Sequence, residues 1–230
     1  MSFLSKNIEQ VCNEIIDGNR KTLAKAITLI ESNNSDHRKF ANKLLNKLNA
    51  KKNKGESIRI GITGIPGAGK STFIESLGNY LLNDKNKIAV LAIDPSSRIS
   101  KGSILGDKTR MSQLSNNPNV FIRPTAASNF QGGIAKNTRE SIFLCEAAGF
   151  NIIFIETVGV GQNEISVFEM VDFFLLLKIA GSGDELQGIK RGIIEMSDLI
   201  IINKTDGDNT NNSVNAKNEF QMALKLFSKK

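Results

Sequence analysis

The chain is poor in several residue types: its 230 residues include no tryptophan, one tyrosine, one histidine and two cysteines. Two cysteines do not make a disulfide framework, so Cys12 and Cys145 are expected to be reduced thiols in or near the core. The single histidine, His37, lies in a polar stretch and is expected at the surface. No run of about 18 apolar residues occurs, and the first residues lack the apolar stretch of a signal peptide. These absences predict a cytoplasmic protein without a membrane partner.

The formal net charge is +7, and a basic balance of this kind could indicate a nucleic acid or an anionic lipid as a partner. The charge is spread along the chain, and its densest run is Lys51-Lys52-Asn53-Lys54. No aromatic residues alternate with the basic ones. Compositional drift in an AT-rich genome therefore explains the charge better than a polyanion-binding surface, and no nucleic acid is predicted as a partner.

The pattern of apolar residues changes near residue 55. Residues 1–54 are predicted to form a small helical segment, whose third helix follows Ser35-Asp36 as its N-cap. Residues 55–230 alternate short apolar strands with helices, which predicts an α/β domain whose mostly parallel sheet carries helices on both faces. The predicted strands are 58–63, 88–93, 119–123, 152–156, 173–179 and 199–203. The predicted helices are 70–82, about 109–115, 133–148, 187–196 and 216–227, with a polar loop at 209–215.

A glycine-rich motif follows the first predicted strand, and it has the spacing G-x-x-x-x-G-K-S of a phosphate-binding loop. Its glycines allow positive φ and a close approach of the backbone to a polyphosphate, and its amides form an anion cradle at a helix start. Lys70 can reach the β- and γ-phosphates, and the Ser71 hydroxyl can bind Mg²⁺. The alternative is a structural glycine turn. The predicted nucleotide-binding residues here are Gly64, Ile65, Pro66, Gly67, Ala68, Gly69, Lys70, Ser71 and Thr72.

A second motif, Asn203-Lys204-Thr205-Asp206, follows the last predicted strand. The Asp206 carboxylate can accept two hydrogen bonds from the ring N–H and the exocyclic amine of guanine, a pair that adenine does not offer. The Lys204 stem can lie along the base, and Asn203 can tie this loop to the phosphate loop. The motif favours GTP over ATP, although four common residues can also be a plain turn.

Acidic residues that end two other predicted strands suit a metal ion. Glu156, which precedes Thr157-Val158-Gly159, fits the metal-side carboxylate of phosphate-loop enzymes. The Gly159 amide is placed to sense a γ-phosphate. Gln162 is a candidate for orienting the attacking water, and it could equally be a polar switch residue. An acidic strand end with a flexible turn is the structural alternative.

Two aspartates complete the predicted metal set. Asp94 ends a strand beside the phosphate loop, where it could bind the metal or position water, and Pro95 stiffens the turn that holds it. Asp107 lies on a glycine-flanked loop that could order around Mg²⁺ and GTP. Asp94 could instead be a turn residue, and Asp107 could be the N-cap of helix 109–115. The predicted metal ligands are thus Ser71, Asp94, Asp107 and Glu156.

Taken together, the motifs resemble those of the MeaB/ArgK family of phosphate-loop GTPases, from about residue 8 to residue 227. The segments that carry the resemblance are Gly64–Thr72, Asp94–Ser97, Gly102–Met111, Arg123-Pro124, Gly132-Gly133, Glu156–Gln162, Gly183–Lys190 and Asn203–Asn209. The resemblance implies a Mg²⁺-dependent GTPase that forms homodimers. It also implies a metallochaperone-like role for adenosylcobalamin-dependent methylmalonyl-CoA mutase, in loading or protecting that enzyme. Lys190 is implied to couple hydrolysis to the partner, and we count it with Lys70, Asp107 and Gln162 as candidate catalytic residues.

The chain also departs from this family. Ala180 replaces a proline that the family pattern places before the Gly-x-Gly-Asp stretch. Family members continue through a last strand and helices used in dimerisation, so the chain is expected to be truncated at its C-terminus and its dimerisation stays open. Two other functions remain: a non-hydrolysing nucleotide-binding interaction module, and an ATP-dependent kinase or ATPase linked to arginine/ornithine transport.

Overall fold

A six-stranded sheet forms the centre of the protein. The computed structural model describes residues 3–51, 56–94, 111–126, 131–157, 164–179 and 191–227. All strand pairs are parallel, in the order β3-β2-β4-β1-β5-β6. The strands are β1 (Ile58–Thr63), β2 (Ile88–Asp94), β3 (Val120–Ala126), β4 (Ile152–Thr157), β5 (Phe173–Ile179) and β6 (Leu199–Asn203). The predicted α/β class and the positions of all six strands are confirmed.

Helices flank the sheet on both faces, as the sequence predicted. They are α1 (Ile8–Ile16), α2 (Arg20–Glu31), α3 (Ser35–Lys51), α4 (Lys70–Leu81), α5 (Ser112–Ser115), α6 (Gln131–Ala147), α7 (Glu164–Phe168), α8 (Arg191–Met196) and α9 (Thr210–Phe227). Short 3₁₀ turns occur at Phe3–Ser5 and Gly207–Asn209. Among the described residues, no helix is long and apolar enough to cross a membrane.

Alternating strand residues divide the apolar core between the two faces. Helices α1–α3 and α6 pack on one face and share a core with side chains such as Leu91 and Ile155. Helices α4 and α5 pack on the other face, over Val90 and Phe154. A smaller cluster joins β5 and β6 to α8 and α9. Because both faces are covered, the central strands read as nearly continuous apolar runs.

Asparagine side chains start the N-terminal helices. Asn7 caps α1 and Asn19 caps α2, each accepting hydrogen bonds from backbone N–H groups of the first turn. Asn34 does the same for α3, since its Oδ1 accepts from the amides of Asp36 and His37. The predicted cap at Ser35-Asp36 is therefore wrong by one residue, and Ser35 is already helical.

Two helical segments differ from the prediction. Helix α9 begins at Thr210, so the predicted loop at 209–215 is mostly its polar first turns. The Thr210 hydroxyl donates to the carbonyl oxygen of Gly207, and Ser213 is buried. These contacts stabilise the start of the helix, although its composition is typical of a loop. Helix α7 was not predicted, because its five residues are too few to show a helical period.

Both cysteines are free and buried, as predicted. Cys12 lies in α1 and Cys145 in α6. Burial disfavours the thiolate and raises the pKa of both thiols, most strongly at Cys145. Neither residue is therefore a suitable nucleophile or metal ligand.

Candidate functional site

The glycine motif and the Asn203–Asp206 motif meet at one edge of the sheet. β1 and β6 flank β5 on opposite sides, and all three strands are parallel. Their carboxyl ends therefore lie together, which is the place where open α/β sheets bind ligands. β4 lies on the other side of β1 and brings Glu156 to the same edge.

The phosphate loop connects β1 to α4 and depends on glycine at both ends. Gly64 has φ 147°, and a Cβ on it would lie 2.2 Å from the carbonyl oxygen of Leu177 in β5. Gly69, with φ 88°, is the N-cap of α4. Both are conformations that side chains rarely tolerate, so these glycines allow the loop to lie against β5 and then turn directly into a helix. A Cβ on Gly67 would meet no atom within 4 Å, although its φ of 82° is also left-handed.

Lys70 folds back over this loop. Its Nζ donates to the carbonyl oxygens of Gly64 at 2.7 Å and Ile65 at 3.2 Å, and the residue is 8% exposed. A buried ammonium beside a backbone cradle is an anion-binding arrangement, because the positive charge and the amides act on the same space.

Ser71 and Glu156 form a pair of oxygen groups beside the loop. The Ser71 hydroxyl donates to Glu156 Oε1 at 3.0 Å, and both residues are buried. Hydroxyl and carboxylate oxygens suit Mg²⁺, which proteins usually hold through one or two carboxylates together with substrate phosphates. The described residues contain no group of three or more potential metal-binding side chains. This pair fits the Mg²⁺ site of a nucleotide complex.

Other predicted site residues are described only partly or not at all. Asp94 ends β2, and its backbone pairs with Ala126 of β3; its neighbour Ile93 pairs with Thr157. This places the end of β2 beside the end of β4. The Asp94 side chain lies outside the described part of the structure. Four predicted residues lie outside the described part of the chain: Asp107, Gly159, Gln162 and Lys190.

Asn203 connects the two loops. Its Nδ2 donates to the carbonyl oxygen of Ala68 at 2.8 Å. This is the tie that the sequence predicted. Asn203 also sits against Gly69, where a Cβ would lie 2.6 Å from the same Nδ2. The position of the Asn203–Asp206 motif thus depends on the backbone of the phosphate loop.

The rest of the second motif is open to solvent. Lys204, Thr205 and Asp206 are all exposed, and Lys204 has φ 55°, the only positive φ of a non-glycine residue among those described. Asp206 precedes the 3₁₀ turn at Gly207–Asn209 without a capping hydrogen bond from its side chain. Its carboxylate is therefore available for the hydrogen bonds that a guanine ring would offer.

Sequence reasoning missed one feature of the site. The hydroxyls of Thr63 and Thr157 form a hydrogen bond at 2.8 Å, and each residue is 1% exposed. The sequence does show a threonine at the end of each of these two apolar strands, and this could have drawn attention to the pair. Their contact could not be read from the sequence, because it depends on β1 and β4 being neighbours in the sheet.

Comparisons with known proteins show which sequences this chain resembles. A family model described as methylmalonyl Co-A mutase-associated GTPase MeaB matches residues 23–230. The chain is 49% identical over 213 residues to GTPase ArgK of Escherichia coli (strain K12), covering 93% of this chain and 64% of the relative. It is 47% identical over 231 residues to a methylmalonic aciduria type A homolog, mitochondrial, of Mus musculus, covering 97% of this chain and 56% of that protein.

A solved structure shows the same architecture. The crystal structure of a LAO/AO transport system kinase superposes with a TM-score of 0.77 at 39% sequence identity, covering 95% of this chain and 63% of the other. The chain thus spans about three fifths of the length of these relatives.

Proposed function

Because this chain belongs to the family of methylmalonyl Co-A mutase-associated GTPases named MeaB, we propose that it binds Mg²⁺ and GTP and hydrolyses GTP to GDP and phosphate. The proposal rests most directly on the contacts around the phosphate loop. The buried Lys70 ammonium and the Ser71–Glu156 pair lie beside this loop. Asn203 connects it by a hydrogen bond to the exposed guanine-type motif. The proposed sites for the phosphates, the metal and the base thus lie at one edge of the sheet.

The chemistry would rest on positioning and charge. The Lys70 ammonium, which now donates to two loop carbonyls, would turn to the phosphate oxygens, and the loop amides would hold them in place. Ser71 and Glu156 would hold Mg²⁺, with Asp94 and Asp107 as further candidate ligands, and the ion would supply positive charge next to the phosphate oxygens.

Three further residues take proposed roles in the same cycle. The Gly159 amide would sense the γ-phosphate, and Gln162 would orient the attacking water or act as a polar switch residue. Lys190 would supply positive charge when a partner orders its segment. A partner-ordered cation of this kind accelerates GTP hydrolysis by about 10³–10⁵ in other GTPases, so the isolated protein should turn over slowly.

The proposed partner is adenosylcobalamin-dependent methylmalonyl-CoA mutase. The family description and the name of the mouse relative support this partner. The chain would gate cofactor loading or protect the mutase in the cytoplasm. These roles belong to whole proteins of the family, and this chain spans only part of their length.

Two measurements test the proposal. Single-turnover hydrolysis of GTP, with and without the mutase, should show slow turnover that the mutase accelerates. Competition of ATP against labelled GTP should show a large preference for GTP. Comparable affinities for the two nucleotides would remove the guanine assignment, and nucleotide binding without any turnover in either condition would identify a binding module.

A further inference from the structure

Two buried threonine hydroxyls lie where β1 and β4 end. Thr157 donates to Thr63 at 2.8 Å between their Oγ1 atoms. Thr63 immediately precedes Gly64 of the phosphate loop, and Thr157 immediately follows Glu156. The pair therefore joins the two strands at the positions where they lead into the proposed nucleotide site.

Stability alone does not explain two hydroxyls at these positions. Valine has nearly the same shape, favours strands and has no polar group to satisfy when buried. Replacing both partners of a buried hydrogen bond by apolar groups of the same shape is close to neutral for stability. A pair of valines would therefore serve the strand packing of Thr63 and Thr157 equally well.

The geometry gives the pair a different use. Ser71, on α4, bonds to Glu156 on the face of the sheet that α4 covers. Consecutive strand residues point to opposite faces, so Thr157 points away from α4 and meets Thr63 on the other face. The end of β4 is thus linked to the β1–α4 unit once on each face. The backbone ladder between β1 and β4 extends to Ile62 and Glu156, and the hydroxyl pair adds a side-chain link one residue further along both strands. Together with the Ser71–Glu156 bond on the opposite face, this link restricts rotation of the strand end about its own axis.

We propose that the Thr63–Thr157 pair is a positioning element that keeps the Glu156 carboxylate directed at Ser71 and thereby sets the affinity of the site for Mg²⁺. The inference rests on the proposed function. Mg²⁺ demands near-octahedral ligands at about 2.1 Å, so a small rotation of a carboxylate weakens its binding. Neither threonine needs to touch the nucleotide or the metal.

The test compares a double variant, Thr63→Val with Thr157→Val, with the wild type. Three quantities are measured: the Mg²⁺ concentration for half-maximal binding of guanylyl imidodiphosphate, the affinity for this nucleotide in EDTA, and the free energy of unfolding. We expect the Mg²⁺ requirement to rise about three- to tenfold, as for the loss of one hydrogen bond, with the other two quantities unchanged. The pair Thr63→Ser with Thr157→Ser keeps both hydroxyls and should restore the wild-type Mg²⁺ requirement.

A matched control is Thr22→Val in α2, where a buried threonine hydroxyl donates to Glu14 at 2.6 Å. It should lower stability without changing the Mg²⁺ requirement. An unchanged Mg²⁺ requirement in the double valine variant would overturn the inference, and so would a loss of affinity in EDTA, which indicates damage to the phosphate loop itself. Failure of the wild type to bind the nucleotide would overturn the proposed function, and that result is visible before any variant is made.

Discussion

The charged and metal-side residues at the two loops of the proposed nucleotide site differ in burial. The phosphate loop leads into Lys70 and Ser71, each 8% exposed and hydrogen-bonded within the protein. The loop after β6 leaves Lys204 and Asp206 exposed. Lys70 and Ser71 are thus bonded within the protein, whereas Lys204 and Asp206 present their side chains to solvent.

This difference matches the two tasks of the site. All nucleoside triphosphates share the phosphates, so a rigid, positively charged cradle supplies affinity without selectivity. The base distinguishes one nucleotide from another, and the carboxylate that reads it must be accessible to the ring. Substitution of Lys70 should therefore weaken the binding of all nucleotides, whereas substitution of Asp206 should change which nucleotide is preferred.

The largest expected effect comes from the buried Lys70. Lys70→Ala removes the ammonium that is already held over the cradle, and we expect single-turnover GTP hydrolysis to fall by about 10²–10³. The affinities for GTP and ATP should fall together. The control Lys85→Ala removes an exposed lysine outside the site and should leave turnover unchanged. Wild-type turnover in Lys70→Ala would mean that the cradle does not act on the transferred phosphate.

A substitution of the exposed Asp206 should change nucleotide preference strongly. Asp206→Asn removes the carboxylate that we propose accepts two hydrogen bonds from guanine, so GTP affinity should fall by about 10². XTP affinity should rise, because xanthine carries an oxygen where guanine carries its amine. The free energy of unfolding should change by less than about 0.5 kcal/mol, because Asp206 is exposed. Competition binding with GTP, ATP and XTP measures the change in nucleotide preference, and Asp84→Asn serves as the surface control. Intact GTP selectivity would contradict the assignment of the base loop.

A pair of glycine substitutions tests whether the loops depend on each other. Gly67→Ala and Gly69→Ala both place a side chain at a left-handed φ, and each should lower the free energy of unfolding by about 1–2 kcal/mol. Only at Gly69 would the new Cβ displace the Asn203 side chain. The ratio of GTP to ATP affinity should therefore fall several-fold in Gly69→Ala and stay constant in Gly67→Ala. Equal ratios in the two variants would show that the loops act independently.

The smallest expected effect comes from the hydrogen bond of Asn203 that connects the two loops. Asn203→Ala removes one hydrogen bond to Ala68, of about 0.5–1.5 kcal/mol, so GTP affinity should fall about three- to tenfold and ATP affinity less. Isothermal calorimetry with both nucleotides measures this difference. Asn212→Ala, an exposed position in α9, serves as the control. An equal loss for both nucleotides would assign Asn203 to phosphate binding alone.

Much of the site could be predicted because its parts are local in sequence. The phosphate loop lies between a strand and a helix, and its eight-residue spacing specifies both its glycines and Lys70. The six strands were recognisable because burial on both faces of the sheet leaves apolar runs of strand length. Short or polar elements were harder: α7 is too short to show a period, and the start of α9 has the composition of a loop.

By itself, the sequence determined the fold class, the phosphate loop and the pairing of this loop with a guanine-type motif. Tertiary structure decided which of these parts touch: Asn203 reaches Ala68, Glu156 reaches Ser71, and Thr157 reaches Thr63. The physical reason is that each contact joins residues far apart in the chain. Only the order of parallel strands in the sheet, with β1 between β4 and β5, brings them within hydrogen-bonding distance.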